Sequence, residues 1–202
     1  MSIDVPFSAA CERNKEPILE IIQPYLKTRK SLLEIGSGNG QHAVYFANAC
    51  PELIWQTSDQ VSYLEGIQAQ LTQANITNVL APIELDVNQE NWGVDRRLFD
   101  IVYTANTLHI MSESDVHAFF NKVSSVSNSQ AMLIVYGPFK YGGEFTSDSN
   151  QEFDLSLRSR GVGSCIKEFE EINHLANKQG FKLLSDNKMP ANNQCLIWQK
   201  VD

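Results

Sequence analysis

Apolar positions recur along the chain with two alternating periods. From about residue 15 to 27, Ile18, Leu19, Ile22 and Leu26 give one apolar face to a predicted helix, with Pro17 tolerable in its first turn. Residues 31–35 form a short apolar run ending in glycines. Ala43, Phe46, Ala47 and Cys50 then return to helical spacing until Pro51 forbids continuation. The alternation repeats. Residues 53–57 read as a strand, and Leu64, Ile67 and Leu71 as a helix stripe. Residues 79–85 read as a strand that Pro82 delays. The third crossover is less regular. The run FDIVYT (99–104) is β-branched and aromatic. Ser112 with Asp115 resembles a capping box opening a helix faced by Val116, Phe119, Phe120 and Val123, which SSVSNS closes. Residues 131–136 are the most apolar strand, expected near the sheet centre, with Gly137 and Pro138 ending it. Phe169, Ile172 and Ala176 mark a last helix stopped by Gly180. Strands at 181–186 and 194–200 follow with no helix between them, so they predict an antiparallel hairpin on an otherwise parallel sheet. The expected fold class is α/β, with seven strands and about six helices.

The 202 residues, 43% of them hydrophobic, suit one domain, 1–202, in which residues 1–30 supply an N-terminal cap helix. A net charge of −8 opposes the electrostatic term behind nucleic-acid and anionic-membrane binding. No apolar run approaches the ~18 residues of a membrane span, and the first residues carry acid and proline where a signal peptide needs base and an apolar stretch. The expected location is cytoplasmic. Cys11, Cys50, Cys165 and Cys195 are far apart and form no CxxC pair, so reduced, mostly buried thiols are expected. No HExxH run or Cys/His cluster suggests a metal.

Candidate chemistry starts at Glu34-Ile35-Gly36-Ser37-Gly38-Asn39-Gly40, where the first strand hands over to the first crossover helix. Open α/β sheets bind ligands at that place, and glycines let a ligand approach the backbone while helix N–H groups favour an anion. Asp59 ends the second strand roughly 20 residues on, where an acid reaches both hydroxyls of a ribose; capping the next helix would suit it equally. Leu85-Asp86-Val87 ends the third strand, offering a carboxylate to an adenine amino group between apolar neighbours. Thr104-Ala105-Asn106 follows the fourth strand into the same crevice.

This combination resembles the class I S-adenosylmethionine-dependent methyltransferases. The loop matches E-x-G-x-G-x-G, whereas Gln41 stands where the dinucleotide fingerprint needs its third glycine. The segments PFSAACERNKEPIL, YTANTLHIMS, YGPFKYGGEFTSDSN and MPANNQ are more narrowly similar to the DUF938 (UPF0585, methyltransferase-like 26) family within that superfamily. The resemblance implies a Rossmann-like seven-stranded sheet with S-adenosylmethionine as cofactor. It further implies that Gly36, Gly38 and Gly40, with Ser37 and Asn39, line the methionine and ribose part and that Glu34 braces the loop. Asp59 with Gln60 would hold the ribose, Asp86 with Val87 would contact adenine, and Asn106 would sit between cofactor and methyl acceptor. Arg13 and Asn14 precede the first predicted helix, and Arg13 either meets the methionine carboxylate or is a solvated side chain.

Methyl transfer needs alignment, exclusion of water and, for a protonated acceptor, a base. His109, in the loop of Asn106, is the candidate base because an unperturbed histidine titrates near ~6.5; the alternative is a histidine with no catalytic part. His42, His117 and His174 read as surface or interface residues. Tyr136, Tyr141 and the flexible YGGEFTSDSN stretch follow the fifth strand and suit an acceptor pocket, or only a long connecting loop. Asn192 either bonds substrate or belongs to the hairpin turn. The expected partner is a small-molecule acceptor, not nucleic acid or membrane, with a monomer and a homodimer both open. Two rival readings are a non-catalytic S-adenosylmethionine-binding regulator and a nicotinamide oxidoreductase.

Overall fold

Strand and helix patterns alternate here because each apolar run must be covered from both sides, and the sheet they build has helices on both faces. The computed structural model describes residues 7–94, 97–161 and 163–201. The sequence expectations at residues 1–6 of the cap segment lie outside them. In chain order the elements are α1 Ala9–Leu26, β1 Ser31–Ile35, α2 Gln41–Ala49, β2 Ile54–Asp59, α3 Val61–Ala74, β3 Val79–Glu84, β4 Phe99–Ala105, α4 Glu113–Val123 and β5 Ser127–Gly137. After them come β6 Phe139–Tyr141, β7 Glu144–Phe145, α5 Asp148–Arg158, β8 Lys167–Glu168, α6 Phe169–Lys178, β9 Phe181–Met189 and β10 Asn193–Lys200.

The main sheet has the order β3-β2-β1-β4-β5-β10-β9. Strands β1 to β5 pair in parallel, and β10 runs antiparallel to both β5 and β9, as the short final connection required. On one face α1, α2 and α3 bury Ile18, Ile22, Phe46, Ile67 and Leu71 against Trp55, Tyr103 and Ile134. On the other, α4 and α6 bury Phe119, Phe120, Ile172 and Ala176 against Val102, Leu133 and Trp198. Burying each of these large side chains is worth ~1.5–3 kcal/mol. Between β3 and β4 no helix is described; Trp92 and Val94 are buried in its place.

Several boundaries differ from the sequence reading. Helix α1 starts at Ala9, capped by the Ser8 hydroxyl, which accepts from Cys11 N, so Arg13 and Asn14 lie inside the helix and Pro17 and Pro24 in its interior. An interior proline removes one helix bond, a cost of ~3 kcal/mol or more; the buried face of Ile18, Ile22 and Leu26 offsets it. Strand β3 begins at Val79 in spite of Pro82. It is the sheet edge, its register against β2 slips between Gln56 and Ser58, and Gln56 Nε2 donates to Ala81 O at 2.8 Å beside the proline. Strand β5 starts at Ser127, inside the expected serine turn, because the Ser127 and Asn128 side chains bond Val123 O and Asp100 Oδ1 while Gln130 takes up a positive φ of 59°. The stretch read as flexible is ordered: β6, β7 and β8 form a small sheet, and α5 follows with Ser147 as its cap.

Candidate functional site

Strand order reverses between β1 and β4, so the loops leaving them diverge and leave a crevice at their carboxyl ends. There a cavity of about 970 Å³ opens. The glycine loop forms its floor. Gly36, Gly38 and Gly40 all have positive φ, at 74°, 60° and 79°. A Cβ on Gly36 would lie 2.7 Å from Thr107 Oγ1 in the loop after β4, whereas one on Gly38 would meet nothing within 4 Å. Gly36 is therefore needed for loop-to-loop packing and Gly38 for backbone shape.

Asp59 ties the loop to β2. Its Oδ2 accepts from Gly38 N at 2.6 Å and its Oδ1 from Gln60 N at 2.7 Å. The α3 N-cap position is Gln60, without a side-chain cap bond, so Asp59 does not play the capping role that the sequence left open. Burial pushes the Asp59 carboxyl above its ordinary range, against the pull of those two amides. Behind the loop, Glu34 is 2% exposed and its Oε2 accepts from Trp55 Nε1 at 2.9 Å. Burial, opposed by bonds from Trp55 and Ser37 and aided by the Asp59 charge, pushes it up to about 7. Asp86 accepts from Asn88 N through Oδ1 at 2.9 Å.

The first turns of α1 and α2 close another wall. His42 is buried, contrary to its reading as a surface residue, because α2 packs this turn onto α1 and β4. Its Nε2–H donates to Asn14 Oδ1 at 2.7 Å, a tautomer assigned from the network, and its Nδ1 lies 3.4 Å from the Tyr103 hydroxyl. Burial lowers it to about 4. The Asn14 and Asn193 side chains lie beside the Tyr136 hydroxyl, and burial raises its pKa. His109 is 8% exposed and meets the Phe153 ring edge-on at 5.4 Å. Burial first, then Lys167 and Arg160, lower it to about 4.

The sequence-derived candidates separate into three groups. Arg13, Gly36, Ser37, Gly38, Asn39, Asp59, Gln60, Asp86, Val87, Asn106 and His109 line the cavity. Asn14, Glu34, Gly40 and Tyr136 stand behind that lining. Tyr141 and Asn192 are outside it, on a second cavity of about 530 Å³ with Asp186 and Lys188, where the Tyr141 hydroxyl donates to Asp186 Oδ2 at 2.8 Å. The sequence reading missed the lining residues Ser8, Cys11, His42, Tyr63, Asn150 and Phe153. For Asn150 and Phe153 a signal existed in Ser147 followed by Phe153 and Leu157 at helical spacing, thin because polar Asn150 and Asp154 share the buried face. Outside the cavity, Glu113, His117 and Glu171 bring three donor atoms within 4.8 Å at the α4–α6 surface, and His174 is exposed. Cys50 and Cys195 are buried, Cys11 and Cys165 partly so, and all four are free thiols.

A family model described as a protein of unknown function, DUF938, matches residues 5–200. The chain belongs to the DUF938 family. Among solved structures it is similar to the apo S-adenosylmethionine-dependent methyltransferase SibL, with a TM-score of 0.80 and 18% identity over 96% of this chain and 56% of that one. It is also similar to the mitomycin 7-O-methyltransferase MmcR, at 0.75 and 15% over 95% and 57%, and to human N-acetylserotonin methyltransferase solved with S-adenosylmethionine, at 0.79 and 13% over 96% and 53%. The DUF938 chain spans a little over half the length of these proteins, and at such identities the likeness shows the fold: that of the class I S-adenosylmethionine-dependent methyltransferases. Among the described residues no helix is long and apolar enough to cross a membrane.

Proposed function

We propose that this DUF938 protein is an S-adenosylmethionine-dependent methyltransferase acting on a small molecule. Asp59 carries the reading. Each of its oxygens takes one backbone amide, Gly38 N in the glycine loop and Gln60 N after β2, which leaves lone pairs on both for two vicinal hydroxyls. The neighbouring residues fit the rest of that cofactor. The bare backbone at Gly38 opens onto cavity space, Asp86 keeps Oδ2 for an amino hydrogen between Leu85 and Val87, and Arg13 suits a carboxylate. A cavity of about 970 Å³ is at the upper end of the ~300–1,000 Å³ range of small-molecule sites, room for a cofactor and a second ligand.

When bound, the cofactor supplies a methyl group on a positively charged sulfur. The protein's part is alignment. Asn106, at φ 57° and with its backbone N donating to Tyr136 O at 2.8 Å, holds its side chain where the loops after β1 and β4 meet. Tyr136, buried at the end of β5 beside Asn14 and Asn193, helps to shape the cavity wall. His109 faces the acceptor end as a neutral ring, so at pH 7 it exchanges hydrogen bonds with an acceptor instead of storing its proton.

Isothermal titration with S-adenosylmethionine, S-adenosylhomocysteine and NADH tests the reading. Selective binding of the two sulfur ligands, weakened about 10- to 100-fold in Asp59→Ala, is expected from the loss of hydrogen bonds to a charged group. Heat from NADH alone would overturn it.

A further inference from the structure

Two polar side chains on the cavity wall each keep an atom without a hydrogen bond among the described residues. Asn150 on α5 is 6% exposed, and both Nδ2 hydrogens are spent, on Thr146 Oγ1 at 2.8 Å and on Asn192 O at 2.9 Å. Because Asn192 O is a carbonyl and only accepts, the amide orientation is settled and Oδ1 is the atom left over. Among the described residues nothing donates to it. His109 likewise makes no hydrogen bond through either ring nitrogen, and in its neutral state it offers one N–H and one bare nitrogen. Both residues line the same cavity. These atoms open onto the cavity and are not sealed in the core, where an unpaired polar atom would be costly, so a ligand can bond them in place of water.

Their surroundings are flat and apolar. Phe153 follows Asn150 on α5 and sets its ring against the edge of His109, with interplanar angle 69°, while Met111 and Pro138 line the same cavity.

We propose that the methyl acceptor is a flat ring compound that donates an N–H or O–H to Asn150 Oδ1 and packs against Phe153 beside His109. The inference rests on the methyltransferase reading, which assigns the glycine-loop end to the cofactor and leaves this end to the acceptor.

Probes matched in shape separate the two. Protein saturated with S-adenosylhomocysteine is titrated with indole and with benzofuran, which replaces the N–H by an oxygen, using ligand-observed saturation-transfer NMR. Indole is expected to bind about tenfold more tightly than benzofuran, the effect of one well-placed hydrogen bond. Asn150→Ala should erase the indole preference while S-adenosylhomocysteine still binds, whereas His109→Phe, which leaves the α5 bonds of Asn150 intact, should keep it. Equal affinity for indole and benzofuran in the S-adenosylhomocysteine complex, or a preference that survives Asn150→Ala, overturns this inference alone. Failure of S-adenosylhomocysteine to bind overturns the cofactor reading and the inference with it.

Discussion

A methyl group added at Gly36 has a different consequence from one added at Gly38, although both glycines have positive φ. At either position an L residue pays the left-handed cost of ~1–2 kcal/mol. At Gly36 the new Cβ also strikes Thr107 Oγ1 at 2.7 Å, so the loop after β4 must move. Gly36→Ala should therefore lower the thermal midpoint by several degrees more than Gly38→Ala and weaken S-adenosylhomocysteine binding about tenfold or more; equal midpoints would contradict the packing role. Asp59 shows how much of a residue's role is local. Its position after a strand and beyond a glycine loop is legible in sequence. That both oxygens are occupied by Gly38 N and Gln60 N, not by a helix cap, depends on β1 and β2 lying side by side.

Among the elements, α4 is specified by its own residues. Ser112 Oγ accepts from Asp115 N at 3.2 Å and Asp115 Oδ2 from Ser112 N at 3.1 Å, completing the capping box expected from spacing. Ser112→Ala should cost about 1 kcal/mol, read as a lower urea midpoint at unchanged m-value. Helix α5 is the opposite case. Asn150 and Asp154 lie on its buried face, and their partners, Asn192 O for one and Ile166 N for the other, come from distant segments. A periodicity argument counts such residues as exposed and loses the helix. Helix α1 is expected from about residue 15 because Pro17 suits a first turn; it starts at Ala9, and packing on the sheet holds Pro17 and Pro24 in its interior.

For the whole molecule, three buried groups set the response to pH. His42 and His109 fall to about 4 from an ordinary 6.5, so their contribution is complete above pH 6.5 and is lost as pH falls through 4. Glu34 rises to about 7 from 4.5, so its contribution is complete below pH 4.5 and is lost as pH rises through 7. Each shift corresponds to roughly 3 kcal/mol. Between pH 4.5 and 6.5 two histidines gain while one carboxyl loses, and above 6.5 only the loss continues. The thermal midpoint should peak near pH 6.5 and decline toward pH 8, and Glu34→Gln, which keeps an acceptor for Trp55 Nε1, should abolish that decline. A wild-type midpoint still rising at pH 8 would show that Glu34 does not set the alkaline side.

What this sequence determined by itself is the part carried by neighbours in the chain: the order of the seven main-sheet strands and of the helices other than α5, the glycine loop, the capping box, and the reversed hairpin, whose connection is too short for a crossover. The tertiary structure decided what depends on residues far apart. His42 became a buried partner of Asn14, Tyr136 came to lie beside Asn14 and Asn193, and Asn150 was turned by Asn192 O so that one oxygen remained unpaired. Periodicity and turn chemistry act over a few residues and leave a readable pattern. Burial and the direction of a hydrogen bond are set by whatever the fold brings alongside, and the chain records that only once the sheet has formed.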